Sequence, residues 1–300
     1  MYAITGATGH TGNFVARRLL QEGQQVRAIG RDRQRLQALI DAGAEPFVCD
    51  LADAAALARA FAGARAAYIV IPPDMGGKNY RAFQDRIADS VASALAAAGV
   101  QFAVTLSSVG ADKANKTGPV VGLHNLEKRL NAINDLNVLH LRAGYFMENT
   151  LAQAGVIHAM NQAAGPLRPN LKISMIATRD IGQAAAEILL QLNFTGQQAR
   201  ELLGQRDLTM TEAAGIIGGA IGKPDLNYVQ LSDNDFRNAL TQMGMSSDFA
   251  NLILEMAGAM NSGHMRAQES RSAGNTTPTS YESFVAEEFV AAYEGRMAHV

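Results

Sequence analysis

The first half of the chain alternates short apolar runs with longer amphipathic segments at a steady spacing. The six apolar runs that we interpret as strands are residues 2–5, 26–29, 47–49, 68–71, 102–106 and 138–141. The segments between them carry apolar residues every three or four positions, which is typical of helices. Because parallel strands need a crossover of this length, the alternation predicts an α/β fold built on a doubly wound parallel sheet.

After about residue 150 the strand signals become sparse and helix start signals appear. Thr209, Ser232 and Thr279 each stand three residues before a carboxylate, a spacing that favours an N-terminal helix cap. Residues 173–205 resemble a return to the sheet, with a helix entered at Thr178–Asp180. These signals predict that the sequence from residue 150 onwards does not simply continue the first pattern.

We therefore expect two domains. The first spans residues 1–150, and residues 173–205 return to it. The second, within residues 151–300, is a smaller and mostly helical lid. Its polar stretch at residues 268–280 is expected to be a surface loop.

Charge and composition exclude several classes of protein. The 26 Lys and Arg against 28 Asp and Glu give a formal charge of −2, which argues against a nucleic-acid-binding face. The lone Cys49 excludes a disulfide scaffold, and the scattered histidines lack metal-ligand spacing. No apolar stretch approaches the roughly 18 residues of a membrane span, and no leader is visible. We expect a cytoplasmic protein with no metal site, membrane segment or direct nucleic-acid partner.

Three glycines at a spacing of three lie between the first strand and the first helix. Such glycines permit a tight turn, the approach of a pyrophosphate to the backbone, and close packing of helix on strand. The helix N-terminus adds free N–H groups and the positive end of its dipole. We expect a dinucleotide here, although His10 is equally well explained as a solvated side chain. The expected contacts are Gly6, Thr8, Gly9, His10, Thr11 and Gly12.

The end of the second predicted strand indicates which dinucleotide binds. Arg31 stands where an acidic residue would bind a ribose 2′-hydroxyl, and a guanidinium grips a phosphate instead. NADP(H) is therefore favoured over NAD(H), although the neighbouring Asp32 weakens that preference. Asp50, after the third strand, is expected to contact the adenine, or alternatively to cap the next turn.

Further motifs follow in a specific order. They are Cys49-Asp50-Leu51, Ser107-Ser108, His124-Asn125-Leu126-Glu127-Lys128 and the segment Leu141-Arg142-Ala143-Gly144-Tyr145-Phe146-Met147-Glu148-Asn149. With the glycine loop and Arg31, they make the chain resemble the NmrA-like family, a branch of the atypical short-chain dehydrogenases/reductases, along nearly its whole length. The resemblance implies a Rossmann-type fold with a C-terminal substrate domain. The family includes NADPH:quinone reductases, triphenylmethane dye reductases and nucleotide-sensing regulators.

Ordinary short-chain dehydrogenases use Tyr-x-x-x-Lys, and the resemblance places His124-x-x-x-Lys128 in that slot. This implies that His124 donates a proton and that Lys128 binds the nicotinamide ribose. The alternative is that Glu127, Lys128 and Arg129 form a charged outer face and His124 is incidental. Ser107 follows the fifth strand and is expected to meet a substrate oxygen, or to cap the following turn.

Tyr145, Phe146 and Asn149 follow the sixth strand and are expected to line the pocket between sheet and lid. The aromatic pair suits planar, conjugated substrates, with ordinary interdomain packing as the alternative.

Two hypotheses about function follow. The first is an NADPH-dependent reductase that passes hydride to a small conjugated acceptor such as a quinone. The second, motivated by the missing tyrosine, is a non-catalytic NADP(H) sensor that binds a regulatory protein partner or a second copy of the chain.

Overall fold

The centre of the molecule is a sheet of seven parallel strands, seen in a computed structural model that describes residues 1–296. The strands of the whole chain are β1 (Tyr2–Ile4), β2 (Val26–Gly30), β3 (Glu45–Val48), β4 (Ala66–Ile69), β5 (Phe102–Ser108), β6 (Asn137–Ala143), β7 (Tyr145–Phe146), β8 (Ala163–Gly165), β9 (Ile173–Ile176), β10 (Gln197–Leu202), β11 (Asp207–Leu208) and β12 (Tyr228–Gln230). The large sheet has the order β3-β2-β1-β4-β5-β6-β10, and every neighbouring pair is parallel. The predicted doubly wound parallel sheet is confirmed.

The direction of winding reverses at the first strand. β1 lies between β2 and β4, with Tyr2 paired to Val26 on one side and to Ala66 on the other. In open sheets of this kind, ligands bind outside the carboxyl ends of the strands at the point of reversal. The topology therefore directs attention to the loops that follow Ile4 and Ile69.

Helices cover both faces of this sheet and also form most of the smaller body. They are α1 (His10–Gln21), α2 (Gln37–Ile40), α3 (Ala54–Phe61), α4 (Tyr80–Ala98), α5 (Val120–Asn131), α6 (Gln153–Met160), α7 (Thr178–Gln191), α8 (Met210–Ala220), α9 (Asp233–Gln242), α10 (Ser247–Ser262), α11 (Tyr281–Phe284) and α12 (Val290–Tyr293). Short 3-10 turns at Gln34–Leu36 and Met147–Ala152 and a π-helical turn at Val285–Phe289 complete the set. On one face α1 packs against α7 around Leu19 and Leu189, and on the other α3, α4 and α5 pack around Phe61 and Val91.

The second half of the chain contributes to both parts of the molecule. β10 pairs with β6 at the edge of the large sheet, and α7 packs on α1, so that residues 178–202 lie against the first half. The remainder forms a smaller body with a three-stranded sheet (β7, β9, β11), a two-stranded sheet (β8, β12) and a separate core that includes Ile217 and Phe284. Within residues 1–296, no helix is both long and apolar enough to cross a membrane.

Two of the three predicted helix caps are confirmed. The Thr209 hydroxyl accepts the Glu212 N–H at 3.1 Å, and the Glu212 carboxylate accepts the Thr209 N–H at 2.7 Å, which completes a capping box. Ser232 caps α9 by accepting the Asp235 N–H at 3.2 Å.

The prediction that Thr279 caps a helix is wrong. The Thr279 hydroxyl and N–H both donate to the buried carboxylate of Asp180, at 2.7 and 3.0 Å. The neighbouring Ser280 caps α11 instead, by accepting the Ser283 N–H. A carboxylate 99 residues away in the chain therefore takes the hydroxyl that the local spacing had assigned to the helix.

The polar stretch expected to be a surface loop has no helix or strand before α11, but it is anchored in the protein. We call residues 265–280 the strap. Within it Asn275 is buried, and the carboxylate of buried Glu201 accepts the N–H groups of Gln268 and Glu269 at 2.8–3.0 Å. The prediction of a surface loop is confirmed, since more than half of residues 268–280 are exposed, and the buried side chains of Asn275, Thr277 and Thr279 attach the loop to the protein.

Candidate functional site

The glycine loop forms a cradle at the amino end of α1. Gly6 has a left-handed φ of +59°, so it supplies the tight turn. A Cβ at Gly12 would lie 2.3 Å from the Gly6 carbonyl oxygen, so this glycine permits the close packing of helix on loop. Gly9 is exposed, and a Cβ there would meet its nearest neighbour at an ordinary 3.4 Å. The three glycines thus occupy the three roles that a dinucleotide loop requires.

The first turn of α1 leaves its backbone N–H groups available. Its N-cap residue, Gly9, has no side chain to accept them, and no acidic residue lies in the first turn. Free N–H groups at a helix N-terminus bind anions, and the helix dipole adds to that attraction. Thr8 is partly exposed and His10 fully exposed beside this turn, whereas Thr11 is buried. The cradle therefore fits a dinucleotide diphosphate.

The loop is fixed to the neighbouring strand on the side where the nicotinamide half of a dinucleotide would extend. The Thr5 hydroxyl accepts the Val70 N–H at 2.8 Å and donates to the Tyr68 carbonyl at 3.1 Å. A Cβ at Gly6 would lie 3.2 Å from the Val70 Cβ, so the loop and the end of β4 are in close contact. Val70 is also part of the wall of the main cavity. The diphosphate cradle and the cavity are therefore adjacent.

Arg31 lies at the other end of the cleft, directly after β2. Its side chain is exposed and forms no ion pair with any group in residues 1–296, so the guanidinium is available to a phosphate. The Asp32 carboxylate accepts the Gln34 N–H at 2.7 Å and so holds the turn. The Asp50 carboxylate likewise accepts the Ala52 N–H at 2.9 Å, the capping role that the sequence left open. The adenine contact of Asp50 stays a prediction.

A cavity of about 840 Å³ extends from Val70 between the carboxyl ends of the strands and the smaller body. Its apolar wall comes from the residues after β4 and from β5, α5, β9 and α10, and it contains Leu106, Leu123, Ile173, Phe249, Met256 and Met260. This volume is within the range of small-molecule sites, and a mostly apolar wall suits an aromatic ligand.

The three residues expected to bind substrate all lie in the cavity wall. Tyr145 and Phe146 form β7, which pairs with β9 through Met175 and Ile176, and Asn149 is exposed just beyond them. Burial raises the pKa of Tyr145 to about 12, so its phenol stays protonated at neutral pH. Their contact with a substrate stays a prediction, because lining a cavity is necessary for that role and not sufficient.

Ser107 lies in the cavity wall and belongs to a buried network. Its hydroxyl donates to the Glu127 carboxylate at 2.6 Å. Arg142 donates to both oxygens of that carboxylate, at 3.0 and 2.6 Å, in a two-pronged ion pair. Because the carboxylate accepts from both partners, the Ser107 hydrogen is directed away from the cavity. The hydrogen of Ser108 is also committed, since its hydroxyl donates to the Val109 carbonyl at 2.9 Å.

The roles that the resemblance implies for His124 and Lys128 on α5 stay predictions. Neither His124 nor Lys128 belongs to the cavity wall. His124 is partly buried with its Nδ1 2.8 Å from the Ala111 carbonyl oxygen, and Lys128 is exposed. On the same helix Leu123 lines the cavity, and Glu127 binds Ser107 of β5. The alternative of a charged outer face is wrong for Glu127, which is buried.

Sequence reasoning missed three parts of the site. They are the Glu127–Arg142 pair, the α10 methionines and the strap, which adds Met265 and Arg266 to the cavity wall. A signal for Glu127 existed, because it falls between Leu123, Leu126 and Leu130 on the apolar face of α5. No comparable local signal marks the strap, whose position depends on Glu201. Among residues 1–296, no group of three or more His, Cys, Asp or Glu side chains could hold a metal ion.

Comparison with known proteins places these features in a family. The NmrA-like family matches residues 2–285. Quinone oxidoreductase 2 of Escherichia coli is 31% identical over 260 residues, which is 85% of this chain and 86% of that protein. The NAD(P)H azoreductase of Xenophilus azovorans is 26% identical over the same shares of the two chains.

Solved structures with a similar fold also include reductases. The crystal structure of the NADPH-dependent quinone oxidoreductase QOR2 of Escherichia coli, complexed with NADPH, superposes with a TM-score of 0.76 at 26% identity. It covers 96% of this chain and 100% of that one. The Citrobacter sp. triphenylmethane reductase shares the fold at the same TM-score and 20% identity, over 99% and 100% of the two chains. The chain belongs to the NmrA-like family.

Proposed function

We propose that this protein is an NADPH-dependent oxidoreductase that transfers hydride to a small conjugated acceptor such as a quinone. The observation that carries the proposal is the junction of the glycine cradle with a largely apolar cavity of about 840 Å³ through Val70. The two named sequence relatives and the QOR2 complex, all of them reductases, support it.

The chain's own residues would hold the cofactor along the cleft. The N–H groups at the start of α1 bind the diphosphate, and the exposed Arg31 binds the 2′-phosphate. Val70 and Ser107, which follow β4 and end β5 at the cavity wall, would then be the residues next to the nicotinamide. NADPH, when bound, supplies the hydride, and the protein positions it and excludes water.

The hydrogen bonds around the cavity favour acceptors that need little acid catalysis. Ser107 and Ser108 both donate their hydrogens to protein acceptors, and His124 lies outside the wall. The Tyr145 phenol in the wall is a weak acid, because burial raises its pKa to about 12. A quinone receives the hydride and then takes a proton from solvent, which yields NADP⁺ and a hydroquinone. Since an isolated ketone needs a proton donor at its oxygen during hydride transfer, we expect quinones to react much faster than simple ketones.

The test is a spectrophotometric assay of NADPH oxidation with a panel of quinones, dyes and simple ketones. We expect turnover of quinones, weak or no turnover of ketones, and loss of turnover in Gly9→Val. Tight NADPH binding without oxidation by any acceptor would reject the reductase and favour the sensor hypothesis. The names of the relatives give that hypothesis no support. A cytoplasmic location, the two-domain division and a homodimer stay predictions.

A further inference from the structure

The charged residues of the cavity wall are confined to one side. Lys172 precedes β9, Asp207 begins β11, and Arg266, Glu269 and Arg271 belong to the strap. Asp207 pairs with Ser174 across the β9–β11 ladder, close in the chain to Lys172, and its ion pair with Arg271 joins this ladder to the strap. We call these five charged residues the rim. Three cations against two carboxylates leave an excess of one positive charge, in a chain whose formal charge is −2.

Both carboxylates of this rim have partners within the protein. Asp207 forms an ion pair with Arg271, whose guanidinium also donates to the Leu203 carbonyl at 3.1 Å. The Glu269 carboxylate accepts the Glu201 N–H and the side-chain amide of Asn275, each at 3.1 Å. Asp207 is therefore neutralised by Arg271, whereas Glu269 is held by uncharged donors and keeps its negative charge, which leaves one unbalanced cation at the rim.

The other two cations of the rim are free. Lys172 and Arg266 are exposed, and neither forms a hydrogen bond or ion pair through its side chain with residues 1–296. The hydrogen bonds from the Thr209 N–H and hydroxyl lower the pKa of the Glu212 carboxyl, and the nearby charge of Lys172 contributes less, without a direct ion pair. The cavity therefore combines an apolar interior with two uncommitted positive charges at its rim.

We propose that the cavity takes aromatic acceptors that carry an anionic substituent, such as a sulfonate or carboxylate. The ring lies against the apolar wall near Leu123 and Phe249, and the anion is bound by Lys172 and Arg266. This inference rests on the proposed reductase function and specifies its substrate class. It predicts that anionic acceptors are preferred over neutral ones of the same ring structure. The two cations would attract the anion at long range and then bind it in a direct ion pair.

The test compares kcat/KM for a naphthoquinone monosulfonate and for the same naphthoquinone without the sulfonate. We expect the wild type to prefer the sulfonate. Lys172→Ala and Arg266→Ala should each reduce that preference about two- to fivefold, and the double variant about tenfold. Raising the ionic strength should reduce the wild-type preference and leave the double variant nearly unchanged.

Arg65→Ala is the matched control, because this exposed arginine precedes β4 at the opposite end of the sheet. It should retain the wild-type preference. Since the side chains of Lys172 and Arg266 form no hydrogen bonds or ion pairs, their variants should fold normally. Turnover of the neutral quinone by each variant checks that the active site is intact. Equal use of both quinones by the wild type, or an unchanged preference in the double variant, would overturn the inference. Failure to turn over either quinone would instead reject the proposed function.

Discussion

Gly9 and Gly12 separate the binding role of the glycine loop from its structural role. In Gly12→Ala the new Cβ would lie 2.3 Å from the Gly6 carbonyl oxygen, 2.7 Å from its carbon and 3.0 Å from the Thr5 carbonyl oxygen. All three are backbone atoms, so helix and loop must separate by about 1 Å to restore ordinary contact. Overpacking of this kind costs about 3 kcal/mol of unfolding free energy.

Gly9→Ala should behave in the opposite way. Its φ of −96° suits any residue, and the nearest atom to the new Cβ lies at 3.4 Å. We expect a loss of no more than about 1 kcal/mol, because alanine is a poorer N-cap than glycine. The Cβ instead occupies the space through which a diphosphate reaches the N–H groups, so NADPH affinity should fall at least tenfold.

Urea unfolding and calorimetric titration with NADPH measure the two effects separately. The reasoning is refuted if Gly9→Ala binds NADPH as tightly as the wild type. It is equally refuted if Gly12→Ala unfolds at the wild-type urea concentration.

Three further predictions concern the cofactor, the buried ion pair and pH. Arg31→Glu should shift the preference from NADPH toward NADH, and an unchanged ratio of the two kcat/KM values would remove Arg31 from the site. Glu127→Ala leaves Arg142 partly buried without its partner and should lower the unfolding free energy by about 3 kcal/mol. The double variant Glu127→Leu with Arg142→Met should recover most of this loss in urea unfolding. Equal stability of the single and double variants would contradict this prediction. Burial lowers the pKa of His140 from 6.5 to about 4, with the neutral ring held between Thr105 and Asn131. Because the unfolded chain binds the proton first, stability should fall by about 3 kcal/mol as the pH drops from 6.5 to 4. His140→Gln should show a shallower pH dependence of unfolding in this range, whereas exposed His264→Gln should match the wild type.

The alternation of strands and helices was readable because each element carries its own periodic signal. β4 is buried on both faces and appears in the sequence as a continuous apolar run. The glycine loop could be recognised for the same reason. The tight turn, the approach of a diphosphate and the packing of the helix on the loop all constrain residues that are neighbours in the sequence.

What could not be predicted depends on contacts between distant residues. Thr279 binds Asp180 rather than capping a helix, and the strap is held by Glu201, 67 and 68 residues away. On α5, Glu127 is buried against Ser107 and Arg142, a pairing that only the fold brings together, whereas Lys128 is exposed and its contact with the nicotinamide ribose stays a prediction.

Hydrogen–deuterium exchange with and without NADPH tests the central claim most directly, because it locates the bound cofactor on the backbone. We predict that NADPH slows exchange in residues 6–13 and 31–36 and at the ends of β4 and β5, and leaves α9 unchanged. Unchanged exchange in residues 6–13 at saturating NADPH, or protection confined to other parts of the chain, would contradict the account.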